Sequence, residues 1–165
     1  MTIKERYTGV LSLLAQEWPT ADSELYFENA YQLLVAVMLS AQCTDKRVNM
    51  VTPALFTAYP TVEQLAIASA DDVLQYIKSV SYPNSKSTHL VEMAKRVVEV
   101  YNGQIPNKRE ELQTLAGVGR KTANVICAVW WNQPTMAVDT HIFRVAERIG
   151  LTTNAKNPLE SEKQL

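Results

Sequence analysis

Residues 30–42, Ala-Tyr-Gln-Leu-Leu-Val-Ala-Val-Met-Leu-Ser-Ala-Gln, are apolar nearly all the way round a helical projection. A run of that length suits a helix buried on every side better than a strand, and it has to be surrounded by other elements. Those elements read as helices too. Ile3, Tyr7, Val10, Leu11 and Leu14 recur at threes and fours until Trp18-Pro19 ends the pattern. Shorter helical pieces are predicted near 45–58, 61–68 and 70–78. A longer amphipathic helix is predicted over 85–101, with Leu90, Met93, Ala94, Val97 and Tyr101 on one face and Asn102-Gly103 as its stop. Segments 109–114, 120–131 and 140–149 complete the set. No two alternating segments are joined by a hairpin turn, so the predicted fold class is all-α.

Charge narrows the function. Sixteen Lys+Arg against seventeen Asp+Glu give a net charge of −1, which excludes a histone-like coat held on nucleic acid by bulk charge. Split in two, residues 1–82 carry five basic and nine acidic side chains, and residues 83–165 carry eleven and eight. A surface that faces a polyanion is therefore expected to draw on the second half. The two cysteines, Cys43 and Cys127, are far apart and form neither a disulfide framework nor a CxxC pair. No apolar run approaches the roughly 18 residues that span a bilayer, and the N-terminus lacks a signal-peptide pattern. A reducing, cytoplasmic compartment and no membrane partner are expected.

Two of the five glycines fall in Leu115-Ala116-Gly117-Val118-Gly119-Arg120-Lys121-Thr122-Ala123-Asn124, between a short helical segment and a longer one. Alternate glycines allow positive φ and the close approach of another backbone. The following helix starts with first-turn amides and the positive end of its dipole, and Arg120 and Lys121 add charge there. This reads as a hairpin that grips a DNA phosphate without reading a base. A glycine turn with no ligand remains the alternative. The spacing fits neither a Walker loop nor a dinucleotide fingerprint. Further on, Asp139 stands just before Thr140-His-Ile-Phe, where an aspartate is a good helix cap.

The string 115–124, followed by Val138-Asp139-Thr140-His141-Ile142-Phe143-Arg144-Val145, closely resembles the endonuclease III family of helix-hairpin-helix DNA glycosylases. So do Leu39-Ser40-Ala41-Gln42-Cys43-Thr44-Asp45 and Tyr76-Ile77-Lys78 through Asn84-Ser85-Lys86, in the same order over essentially the whole chain. The resemblance implies a bifunctional base-excision-repair enzyme, DNA glycosylase and AP lyase, acting on oxidised pyrimidines and abasic sites in double-stranded DNA, as a monomer associated with the nucleoid. Lys121 matches the family's lysine, which attacks C1′, displaces the base, forms a Schiff base and allows β-elimination of the 3′ phosphate. Attack needs an uncharged amine, and a helix N-terminus with Arg120 alongside disfavours additional positive charge. Asp139 matches the essential aspartate, which stabilises an oxocarbenium-like sugar or helps to activate the nucleophile.

Gln42 matches a glutamine that fills the gap left by a flipped base. Where the family has a Gly-Leu-Tyr-Asn turn supplying an apolar wedge, this chain has Ser81-Tyr82-Pro83-Asn84, so Tyr82 takes the leucine's place. Gly117, Val118, Gly119, Arg120, Thr122 and Arg144 are the remaining expected DNA contacts. His89 and His141 are expected to be structural or surface residues, and no metal ligands are expected in the chain. The family usually carries a four-cysteine loop holding a 4Fe–4S cluster. This chain has no such set and stops about two turns into a helix that starts at Asn157-Pro158, so it is expected to be a truncated member of the family.

The family's architecture implies a helical-barrel domain over residues 23–132, carrying the hairpin at about 109–131. Residues 1–22 and 133–165 would form a second, split domain lacking the iron–sulfur loop, with the active site in the cleft. A helix-hairpin-helix module that binds DNA without chemistry is the alternative function.

Overall fold

Most helices start where a short polar side chain can accept bonds from the first-turn amides. In the computed structural model, which describes residues 2–165, Thr2 caps α1 (Ile3–Glu17), Asn29 caps α2 (Ala30–Ser40) and Thr44 caps α3 (Asp45–Ala58). Thr61 and Ser69 cap α4 (Val62–Ala66) and α5 (Ala70–Ile77). Asp139 and Asn157 cap α9 (Thr140–Arg148) and α10 (Pro158–Gln164). Three helices have no side-chain cap bond: α6 (Pro83–Tyr101), α7 (Arg109–Leu112) and α8 (Arg120–Trp131). Among the described residues there is no strand, so the fold is all-α. No helix among them is long and apolar enough to cross a membrane.

The chain divides into two compact units, residues 23–135 and residues 1–22 with 136–165. In the first, α2 is the centre. Leu33, Leu34, Val35, Ala36 and Leu39 are completely buried. Helices α3, α6 and α8 pack on α2, α4 and α5 pack on α6, and α7 packs on α8. Full burial of one helix is what the all-round apolar sequence requires. The helix is two residues shorter than expected, because Ala41 leaves helical dihedrals at ψ 115° and Gln42 turns to φ 53°. Helix α6 starts two residues earlier than expected, since Pro83 suits a first helical position and needs no amide partner. Its buried face holds Leu90, Met93, Ala94 and Val97 as predicted and also Lys86, Ser87 and Val91, whereas Tyr101 is only half-buried. Asn102 and Gly103 end it in left-handed conformations, both donating to the Val97 carbonyl.

In the second unit α9 packs against α10. Helix α1 has no buried residue. It is tied down by Arg6, which donates to the Ile149 carbonyl, and by Tyr7, whose hydroxyl donates to the Gln164 carbonyl at 3.0 Å.

Core truncation at the end of α2 should be far more costly than truncation at the surface. Leu39→Ala is expected to lower the unfolding free energy by about 2–5 kcal/mol in urea titrations. Ile67→Ala, at a side chain 87% exposed, should stay within about 0.5 kcal/mol of the parent.

Candidate functional site

The two glycines of the hairpin do different jobs. Gly117 sits at φ 73°, and a Cβ there would lie 3.0 Å from His89 Cβ and 3.1 Å from Met38 Cε. It is the residue that lets the turn press against α2 and α6. Gly119 has an extended backbone, φ −87° and ψ 177°, and a Cβ there would meet nothing within 4 Å. Its role is not conformational. It caps α8 without a side chain and leaves open space beside the first turn, where another backbone can approach. Val118 is 6% exposed and its amide donates to the Leu115 carbonyl, so it belongs to the core rather than to the open surface. Arg120 and Thr122 are half-buried and Lys121 is exposed.

A second turn lies beside the hairpin. Gln42 and Tyr82 both stand at φ 53°, each in the left-handed region where a residue with a Cβ costs about 1–2 kcal/mol. Both are exposed. Lys86, buried on α6, supplies the counterweight. Its ammonium donates to the carbonyls of Leu39 at 2.8 Å and Ala41 at 2.7 Å, and to Ser81 Oγ at 3.2 Å. Ser81 Oγ donates in turn to the Gln42 carbonyl at 2.8 Å and, more weakly, to that of Ala41 at 3.2 Å. Burial pushes the Lys86 amine below its ordinary range, against a smaller opposing influence from Cys43. A cation at a helix C-terminus is favourably placed against the dipole, and these bonds satisfy carbonyls that α2 cannot satisfy itself.

Two cavities flank Gln42. One, of about 200 Å³, is lined by Gln42, Tyr82, Lys86, His89 and Gly117. The other, of about 440 Å³, is lined by Gln42, Asp45, Lys121, Thr122 and Val125. The unit formed by residues 23–135 therefore gathers Gln42, Tyr82, the hairpin glycine and Lys121 around one helix end.

Asp139 and Arg144 belong to the other unit. Asp139 Oδ1 accepts from the amides of His141 at 2.9 Å and Ile142 at 2.8 Å, which fixes the carboxylate at the start of α9. Arg144 Nη2 lies 3.1 Å from His141 Nδ1, and both side chains are exposed.

The cysteines do not fit an iron–sulfur cluster. There are two rather than four. Cys127 is fully buried in α8, where burial raises its thiol, and Cys43 is half-buried in the connection between α2 and α3. Among the described residues no group of three or more His, Cys, Asp or Glu side chains could hold a metal ion.

Helix, glycine turn and basic helix in an all-helical chain define a class, the HhH-GPD superfamily of base excision DNA repair proteins, whose family model matches residues 35–165. The chain is 44% identical over 156 residues to the endonuclease III of Rickettsia felis, covering 94% of this chain and 73% of that protein. It is 41% identical over 155 residues to the endonuclease III of Bacillus subtilis, covering 94% and 71%. A trapped endonuclease III–DNA covalent intermediate superposes with a TM-score of 0.92 at 39% identity, over 100% of this chain and 78% of that one. A non-covalent endonuclease III–DNA complex gives 0.91 at 38%, over 99% and 77%. The chain belongs to the endonuclease III family.

Sequence reading singled out Lys86 only as part of a motif and missed what it does. Its register was the available signal, for Lys86 shares the apolar face of α6 with Leu90 and Met93.

Lys86→Met should cost about 1–3 kcal/mol by leaving buried acceptors unpaired. Between the lowered folded value and the ordinary 10.5, only the unfolded chain keeps this proton. Stability therefore gains with rising pH through that window, and the gain should be missing in Lys86→Met when urea unfolding is followed against pH. Gly117→Ala should lose about 1–3 kcal/mol from its positive φ and crowded Cβ, while Gly119→Ala should lose at most about 1 kcal/mol.

Proposed function

We propose that this chain is a base-excision-repair DNA glycosylase with AP-lyase activity on oxidised pyrimidines and abasic sites in duplex DNA. The observation that carries the proposal is the shared lining of one cavity by Gln42 and Lys121 beside the open amide end of α8. Its volume, about 440 Å³, falls in the range of ligand pockets, roughly 300–1,000 Å³. It suits an extrahelical nucleotide, with Gln42 reaching towards the gap left behind. The relative trapped as a covalent intermediate on DNA supports a covalent route.

In this reading the amides at the start of α8, with Gly119 offering no Cβ to obstruct them, receive a backbone phosphate. That contact carries no sequence information and sets the register of the strand. The uncharged amine of Lys121 then attacks C1′ of the flipped nucleotide. The C1′–N bond breaks, and the base leaves with the electron pair and takes up the proton that the amine nitrogen loses. The C1′–O4′ bond then opens, O4′ takes a proton from water, and C1′ is left double-bonded to the lysine nitrogen as a protonated Schiff base. Loss of a proton from C2′ expels the 3′ phosphate by β-elimination, and water releases the lysine. Asp139 serves as the carboxylate that stabilises positive charge developing on the sugar or helps to activate the amine. Its double amide bond pre-orients it for that work. Arg144, Arg120 and Thr122 serve as DNA contacts. No step uses an iron–sulfur cluster. A cluster of the family's kind would require cysteines other than Cys43 and Cys127. As a repair enzyme of genomic DNA the protein works in the nucleoid.

Borohydride reduction during the reaction should capture a covalent adduct with DNA containing an abasic site, and Lys121→Gln should abolish it. An adduct that survives in Lys121→Gln sinks the assignment, and DNA binding without any adduct in the parent chain marks a binding module instead. Asp139→Asn provides a second check, since asparagine caps a helix as well as aspartate does. Its melting temperature should be unchanged and its single-turnover rate lower by about a hundredfold; full activity would reduce Asp139 to a cap.

A further inference from the structure

Gln42 and Tyr82 are separated by forty positions in the chain, yet their strained turns are fastened to each other. Ser81 Oγ donates to the Gln42 carbonyl, and Lys86 bonds Ser81 Oγ together with the Leu39 and Ala41 carbonyls. All three donors of the buried ammonium are used. Pro83, directly after Tyr82, stiffens the second turn from the other side. Gln42 and Tyr82 line the same small cavity, and both are exposed.

Left-handed residues with a Cβ persist only where their surroundings over-determine them. Here the hydroxyl of Ser81 bonds across both turns, accepting from Lys86 and donating to the Gln42 carbonyl, while Lys86 also reaches the Ala41 carbonyl. The family's turn has a glycine at this position, which has no hydroxyl to offer. We propose that Ser81 is a positioning residue that joins the Gln42 and Tyr82 turns into a single preformed two-pronged wedge for the gap in the duplex. A wedge ordered before DNA arrives does not have to be ordered during binding, so extrusion of the nucleotide gains from it while the later chemistry at Lys121 does not. Tyr82 presents an aromatic face for stacking on the base left without a partner.

This inference rests on the glycosylase reading above, and its test separates the two. The full chain and its Ser81→Ala variant are assayed under single turnover on a duplex oligonucleotide with one oxidised pyrimidine. Both are also assayed by borohydride trapping on a single-stranded oligonucleotide with an abasic site, which needs no extrusion. Ser81→Ala should lower the duplex rate by about tenfold and leave single-strand trapping within about twofold of the parent. If Ser81→Ala folds poorly by circular dichroism, the isosteric pair Ser81→Thr and Ser81→Val takes its place, with Thr retaining the duplex rate and Val losing it. Equal losses on both substrates, or no loss on the duplex, overturn the proposal. Failure of the parent chain to form an adduct on an abasic site in duplex as well as single-stranded DNA would count against the glycosylase reading itself.

Discussion

A helix buried on all sides cannot leave its last carbonyls to water, and the bonding of the α2 terminus decides much of what surrounds it. Val37 accepts from the Ser40 hydroxyl and Ser40 from the Cys43 amide, while Leu39 and Ala41 accept from Lys86. Burying an ammonium is costly unless every donor is used. Lys86 meets that condition by drawing the α5–α6 turn against the end of α2. The strained backbone of Gln42 and Tyr82 follows from that closure. Both residues lie beside Gly117, where positive φ and a Cβ that would come within 3.0–3.1 Å of His89 and Met38 both favour glycine. Core packing, the capping of one helix and the placement of surface groups are therefore one problem with one solution.

The hairpin shows the same economy. One glycine is required by backbone conformation and packing, and the other by neither. Gly117 answers to positive φ and close contact, whereas Gly119 is neither strained nor crowded. Gly119 stands beside open space at the amide end of a helix that also carries Arg120 and Lys121, an arrangement that suits an approaching anion. Near-neutral charge fits this picture. A protein that binds DNA through a few directed contacts has no need of a uniformly basic surface.

What was legible in the sequence was local. The bounds of α3 and α8 agree with the segments predicted for them, and Asp139 caps α9 as its position before Thr140-His-Ile-Phe suggests. The string around Gly117 and Lys121 was readable because a turn between two helices is encoded by its own residues. The end of α2 was not, since Gln42 owes its conformation to Ser81 and Lys86, some forty residues away. The start of α6 lies two residues before the predicted one, at Pro83, and the left-handed backbone of Tyr82, expected at the wedge position, is not encoded by its own residue type. Val118 is expected from the sequence among the DNA contacts, and hydrophobic burial turns its side chain inward.

Mass-spectrometric peptide mapping of the borohydride-reduced adduct, formed by the unmodified chain on DNA with an abasic site, identifies which amine is the nucleophile. A sugar remnant is expected on Lys121, at the start of α8, with Lys86 unmodified because its ammonium is committed to the α2 terminus. A remnant on Lys86, on the N-terminal amine or on any lysine other than Lys121 would contradict that assignment.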